Sequence, residues 1–270
     1  MGMIVMDMDG TLLNSHQEIT SYTKDILITL QEKGESIVLA SGRDIHGLVK
    51  YGNVLHLLDY PQSGYICLNG LEIYDSLGNL LHKEQGLTYQ DSLCLEKLAI
   101  EYSLDMIFFF KDALFIIEYG HTGIVDHHFG SSTKYKIKSV QEIKKSYFED
   151  LRKVALIQHS KTIGCIIQSL QKRTTNQFDL CRVEDNWIEV NPYGLNKGSA
   201  LKEYAQIKDI PLHDVLAFGN GENDIEMLKM AGCGIAMENS FFNVKEMADE
   251  ICGSCEEDGI GIYLARRYKL

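Results

Sequence analysis

The chain has 270 residues, 45% of them hydrophobic and 24% charged, so it can bury a large core and does not have the composition of a disordered chain. Its 26 basic and 38 acidic residues leave a net charge of −12, which disfavours nucleic acid as a partner because phosphate backbones need clustered Lys and Arg. No apolar run reaches the roughly 18 residues of a membrane span, and seven scattered cysteines fit a reducing cytoplasm better than a disulfide framework. A cytoplasmic protein with no membrane partner is therefore expected. The opening "MGMIVMDMDG" carries no basic segment before its apolar run and does not read as a signal peptide.

In chain order, "MIVM" (3–6) is a short apolar run that meets Asp7. "ITSYTKDILITLQEKG" (19–34) has helical spacing and stops at Gly34. "SIVLA" (36–40) runs into Ser41, Gly42 and Arg43, and "YICL" (65–68) into Asn69 and Gly70. "LEIYDSLGNLLHKE" (71–84) reads as a hairpin turning near Gly78 and Asn79. A helix over 89–102 follows, then strands in "DMIFFFK" (105–111) and "ALFIIEY" (113–119). Two more strands, "KVALIQHS" (153–160) and "FDLCRV" (178–183), flank a helix, and "NWIEVN" (186–191) comes after them. The first kind of pattern then returns. "VLAF" (215–218) runs into Gly219 and Asn220, and "GIAM" (234–237) into Glu238 and Asn239. Continuous apolar strands alternating with helices predict a doubly wound parallel α/β sheet covered on both faces. The middle of the chain predicts an inserted α+β module. The boundaries read as 1–82 plus 191–270 for the first domain and 83–190 for the insert.

In such a sheet, ligands bind beyond the carboxyl ends of the strands, and those ends hold most of the polar chemistry here. "DMDGTL" (7–12) places Asp7 and Asp9 two residues apart at a strand end. Two carboxylates that close repel unless a proton or cation lies between them. Hard oxygen donors in a partly open site suit Mg²⁺. Gly10 allows the backbone to turn its amides toward an anion. The same pair can also cap a helix. Ser41 can donate to a phosphoryl oxygen or serve as an N-cap. Lys197 opens a helix, where its charge opposes the helix dipole unless an anion compensates. Asp224 follows Asn220 by four residues and can orient Lys197 or metal-bound water, or simply favour a helix start. Together these residues form a kit for phosphoryl transfer: nucleophile, acid/base, metal and charge clamps.

The chain resembles the haloacid dehalogenase (HAD) superfamily, and within it the Cof-type phosphatases with an α+β cap inserted in a Rossmann-like core. The resemblance rests on "DMDGTLL", "LASGR", "LNGLEIYD", "NKGSAL", "FGNGENDIEML" and "IAMENS" and spans essentially all 270 residues. It implies that Asp7 is the nucleophile and forms an aspartyl-phosphate, and that Asp9 is the acid/base whose main-chain carbonyl also binds Mg²⁺. It implies that Ser41, Gly42, Lys197 and Asn223 hold the phosphoryl group. The metal set would be Asp7, Asp9, Asn220 and Asp224, with Arg43, Asn69, Gly70 and Glu189 near the substrate. Asn220 departs from the family pattern, which has Asp at that position. An amide carbonyl still ligates a hard cation but brings no charge, so a weaker Mg²⁺ site is expected.

The implied activity is a Mg²⁺-dependent phosphatase acting on a small phosphorylated metabolite, either a sugar phosphate or a phosphorylated cofactor such as a flavin mononucleotide or pyridoxal phosphate. The alternatives are a phospho-ligand sensor without turnover and a phosphotransferase or mutase of the same fold. A receiver domain would lack an acid two residues after its phosphorylated Asp, and Asp9 argues against it. Cys252 and Cys255 form a C-x-x-C pair with no second pair to complete a zinc site. His127 and His128 are neighbours that would point apart on a strand. "FFF" (108–110) reads as core of the insert, and Trp187 and Tyr193 read as core or as a surface facing substrate.

Overall fold

The computed structural model describes residues 2–125 and 134–270, which form two compact units, 2–84 with 195–270 and 85–125 with 134–194. His127 and His128 lie outside the described residues.

The first unit is built on an eight-stranded sheet among the described residues. Its strands are β1 (Met3–Asp7), β2 (Ser36–Ala40), β3 (Gly64–Cys67), β4 (Glu72–Asp75), β5 (Leu80–Lys83), β12 (Val215–Gly219), β13 (Cys233–Met237) and β14 (Glu250–Cys252). Their order across the sheet is β14-β13-β12-β1-β2-β3-β4-β5. The six strands from β14 to β3 run parallel, and the β4–β5 hairpin adds two antiparallel strands at one edge. Every residue of β1, β2, β3, β12 and β13 is buried, as a sheet covered on both faces requires.

Helices α1 (Ser21–Glu32), α2 (Ile45–Val54) and α8 (Gly259–Tyr268) place Leu27, Leu30, Leu48 and Leu264 against one face. Helices α5 (Lys197–Ile207), α6 (Ile225–Met230) and α7 (Phe242–Met247) cover the other with Leu201, Tyr204, Met227 and Val244. From β1 the chain winds one way through β2 and β3, and from β12 it winds the other way through β13 and β14. The reversal falls between β1 and β12, so their carboxyl ends open the crevice where such sheets take ligands. The carboxyl ends of β1 and β12 are Asp7 and Gly219, and Gly219 runs directly into Asn220.

The second unit holds a six-stranded mixed sheet among the described residues. It contains β6 (Asp105–Phe109), β7 (Leu114–Glu118), β8 (Lys134–Lys136), β9 (Lys153–Ile157), β10 (Phe178–Glu184) and β11 (Trp187–Pro192), in the order β10-β11-β9-β6-β7-β8. Helices α3 (Tyr89–Tyr102) and α4 (Ser160–Arg173) contribute Leu95, Ala99, Ile163 and Leu170 to its main core, which also holds Phe108. Trp187 packs on the other face of this sheet, while Tyr193 is exposed.

The structure divides the chain a few residues later than the sequence pattern does at each crossing. Glu84 stays with the first unit because its amide donates to Leu71 O at 2.9 Å. Residues 191–194 stay with the second, where β11 continues to Pro192 and the Gly194 amide donates to Asp179 Oδ2 at 2.8 Å. The third strand also ends one residue early, at Cys67, because Leu68 and Asn69 turn into the left-handed region with φ of 52° and 54°. Strand β14 and helix α8 do not stand out in the hydrophobic pattern. They hold Cys252 buried at the sheet edge.

Candidate active site

The site assembles on three loops. After β1, Gly10 adopts φ +76°, and the chain folds back so that the Leu12 amide donates to Asp7 O at 3.2 Å. This keeps Asp7 and Asp9 at the strand mouth. After β2, the Ser41 amide donates to Ile66 O at 2.9 Å, and Ser41 Oγ accepts from the Arg43 amide at 3.2 Å. The left-handed turn at Leu68 and Asn69 is tied to this loop by Leu68 N donating to Arg43 O and Asn69 N donating to Ser41 O, both at 3.0 Å. Asn69 Oδ1 in turn accepts from Asn223 Nδ2 at 3.3 Å. The third loop follows β12. A Cβ on Gly219 would lie 2.4 Å from the Asp224 Cβ, so only glycine lets that carboxylate fold back beneath its own loop.

Lys197 is the first residue of α5, after the N-cap Asn196, and is wholly buried. An ammonium there survives only if paired. Its Nζ donates to Asp7 Oδ1 at 2.5 Å and to Asp224 Oδ1 at 2.7 Å. Burial acts to lower its pKa, but the two carboxylates outweigh burial and hold it above the ordinary lysine range. The other oxygen of Asp224 accepts from the amides of Asn220 at 3.0 Å and Gly221 at 2.9 Å. Asp224 thus uses both oxygens on Lys197 and its own loop. Burial, reinforced by Asp224, pushes the carboxyl of Asp7 up to about 7, and Lys197 opposes this. With both acids ionised, the trio carries one negative charge in excess of the ammonium.

Asp9 turns away from this trio. Its Oδ2 accepts from Arg43 Nε at 3.1 Å and its Oδ1 from Arg43 Nη2 at 2.5 Å, a bidentate pair. The same guanidinium donates to Gln17 Oε1 and to the Tyr51 hydroxyl. Thr11, Gln17, Tyr51 and Asn239 are parts of the site without a role in the sequence reading. Asn239 Nδ2 donates to Gly10 O at 2.7 Å. Thr11 and Asn239 sit inside "DMDGTL" and "IAMENS", so a signal existed for them. Gln17 and Tyr51 lie on a loop and a helix face that carry none.

The amide of Asn220 sits above Asp7. The amide atom that faces inward lies 2.8 Å from Thr11 Oγ1, 3.0 Å from the main-chain Asp9 O and 3.2 Å from Asp7 Oδ2. Ligands of an octahedral Mg²⁺ at 2.0–2.1 Å lie about 3 Å from their neighbours, so these separations match the edges of a Mg²⁺ shell. The donor set fits a hard cation: one carboxylate, one main-chain carbonyl and one amide oxygen. Among the described residues no three His, Cys, Asp or Glu side chains converge as a metal group.

The structure therefore gathers Asp7, Asp9, Ser41, Gly42, Arg43, Asn69, Gly70, Asn220, Asn223 and Asp224 onto loops and turns of the first unit, with Lys197 joining them from the start of α5. Glu189 belongs to the second unit, on β11, where it is buried and accepts from Lys153 Nζ at 2.6 Å.

The model of the haloacid dehalogenase-like hydrolase family matches residues 4–264. The chain belongs to that family. It is 30% identical to the candidate phosphatase YxeH of Bacillus subtilis strain 168, over 96% of this chain and 95% of that protein. It is 27% identical to an HMP-PP phosphatase of Yersinia enterocolitica, over 96% and 92%. The solved structure of BT4131, described as a HAD subclass IIB sugar phosphatase, superposes with a TM-score of 0.77 over 100% of this chain and 99% of that one, at 20% identity. That likeness speaks to the fold, a parallel-sheet core with a separate mixed sheet inserted as the cap. The chain is thus a HAD-like phosphatase of Cof type. Among the described residues no helix is long and apolar enough to cross a membrane.

Proposed function

We propose that this phosphatase hydrolyses phosphate monoesters of small metabolites through an aspartyl-phosphate on Asp7, with Mg²⁺ as cofactor. The observation that carries the reading is the asymmetric clamp on Asp7. One oxygen is held by buried Lys197, while the other lies 3.2 Å from the Asn220 amide, which itself lies 3.0 Å from the Asp9 carbonyl. Lys197 opposes the rise that burial and Asp224 impose on Asp7 and fixes the direction of its carboxylate, and a nucleophile needs both.

Asp7 attacks phosphorus and displaces the alcohol oxygen of the ester, which takes a proton from Asp9. Asp9 then removes a proton from the water that attacks the phosphoryl-aspartate, releasing phosphate and restoring Asp7. Ser41 and Lys197 provide donors for the phosphoryl oxygens, and Asn223, fixed by Asn69, provides another. Asp7, the Asp9 carbonyl and Asn220 would hold Mg²⁺, which supplies positive charge to the transferring group. The substrate class rests on the relatives: the HMP-PP phosphatase and the named sugar phosphatase both act on small phosphorylated compounds by name. The net charge of −12 is unfavourable to polyanionic nucleic acid but not to a small anion held by a local ammonium.

The test is phosphate release from a panel of sugar phosphates and phosphorylated cofactors, with Mg²⁺ and with chelator, for wild type and Asp7→Asn. Turnover that needs Mg²⁺ and falls at least about 10³-fold in the variant is expected. Wild-type release no greater than that of Asp7→Asn on every substrate would end the proposal.

A further inference from the structure

Asn220 can offer two opposite chemistries from one position, and it does so beside Asp7 and the Asp9 carbonyl. An amide presents either its oxygen or its NH₂ at the inward position, and the two orientations differ by a half-turn of the side-chain amide. With oxygen inward, Thr11 donates to it at 2.8 Å, but it faces two further acceptors, Asp9 O at 3.0 Å and Asp7 Oδ2 at 3.2 Å. Three oxygens at those separations repel unless a cation or a proton lies between them. With nitrogen inward, the two amide hydrogens are shared among Asp7 Oδ2, Asp9 O and Thr11 Oγ1 at the same distances. Thr11 serves both orientations because a hydroxyl can donate or accept.

We propose that Asn220 is a cation-responsive hydrogen-bond switch. Nitrogen-inward, it ties the Asp7 carboxylate to the Asp9 main chain and so holds the site together by itself. A divalent cation reverses the amide, and Oδ1 becomes a ligand while Thr11 changes from acceptor to donor. This rests on the reading of the site as a Mg²⁺-dependent phosphatase centre. An ionised aspartate at 220 cannot play both parts, since it has no hydrogen to give. It would set a second carboxylate at 3.2 Å from Asp7 Oδ2, beside a trio that, with both acids ionised, already carries one excess negative charge. Asparagine therefore trades cation attraction for a site that is stable without a cation.

The experiment needs no substrate. Thermal midpoints of wild type, Asn220→Asp and Asn220→Ala are measured in EDTA and across a Mg²⁺ titration. In EDTA, Asn220→Asp is expected to melt several degrees below wild type. In Mg²⁺ it should gain more and bind the ion roughly tenfold or more tightly, as one added unit of charge at the ion requires. Asn220→Ala should fall below wild type in EDTA and respond least to Mg²⁺. The side-chain NH₂ resonances of Asn220 in ¹⁵N-labelled wild type, assigned by their loss in Asn220→Asp, give a readout that does not depend on a variant folding. They should be slow to exchange in EDTA, and Mg²⁺ should shift them and speed their exchange. An Asn220→Asp protein as stable as wild type in EDTA overturns the switch, as do NH₂ resonances that saturating Mg²⁺ leaves unmoved. Because turnover is not measured, an inactive protein that passes these tests would refute the proposed function and leave the switch standing.

Discussion

The ammonium of Lys197 is wholly buried between two carboxylates. Lys197→Met keeps the volume and removes the charge. The structure then leaves Asp7 and Asp224 buried without the ammonium that each contacts at 2.5 and 2.7 Å. Removing one partner of a buried ion pair costs about 3–5 kcal/mol. For a unit of this size each kcal/mol moves the melting midpoint by about 2–4 °C, so a drop of roughly 6–20 °C is expected. The single tryptophan, Trp187, lies in the other unit, so the transition is followed by far-UV circular dichroism rather than by fluorescence. The decisive arm is Lys197→Met with Asp224→Asn. If the loss comes from uncompensated charge, removing one of the two carboxylates returns part of it, with a coupling of about 0.5–3 kcal/mol. A double variant that melts at or below the sum of the two single losses would refute the charge argument and leave Lys197 as a packing residue.

Arg43→Lys keeps a cation but loses the fork that grips both oxygens of Asp9. Because the pair is largely exposed, the melting midpoint should move little, while kcat should fall about tenfold or more as Asp9 loses its direction; unchanged kcat would show that the pair is incidental. Gly219→Ala puts a methyl group 2.4 Å from the Asp224 Cβ and should cost about 1–3 kcal/mol and loosen Lys197, read as a lower midpoint together with lower kcat. Burial pushes the Cys252 thiol up to about 12, whereas Cys165 is exposed on α4. At pH 8 a maleimide should therefore label Cys165 in the native protein and reach Cys252 only on unfolding, as peptide mass mapping would show.

How much of this the sequence carried depends on the kind of signal. The sheet was legible because β1, β2, β3, β12 and β13 are buried on both faces and read as unbroken apolar runs. Strand β14 was not, because Glu250 and Ile251 are exposed at an edge and only Cys252 is buried. The end of β3 was misplaced by one residue, since nothing in the identity of Leu68 announces a left-handed backbone. That conformation is imposed by the bonds from Leu68 and Asn69 to the loop after β2. The pairing of Lys197 with Asp224 could be named because a lysine at a helix start is awkward unless an anion meets it, whereas the contact of Lys197 with Asp7 could not. The direction of Asp9 could not be named. It depends on Arg43 reaching across from the next loop, a contact 34 positions away that no local pattern encodes.

The same distinction bears on metal strength. A substitution of Asp by Asn, judged from sequence, subtracts one charge from a cation site and predicts weaker binding. The geometry adds that the charge-free residue also carries two hydrogens into a space bounded by three acceptors, with Asp7 itself raised by burial and by Asp224. A carboxylate at 220 would add repulsion at that point whenever no cation is bound, and the cost would fall on the folded protein rather than on the complex. On the proposed switch, weak cation binding and a self-supporting site are two expected consequences of one amide. They predict that variants at 220 which bind Mg²⁺ more tightly will be less stable in chelator. A series at that position in which stability in EDTA and Mg²⁺ affinity rise together would show that the amide does not hold the site closed.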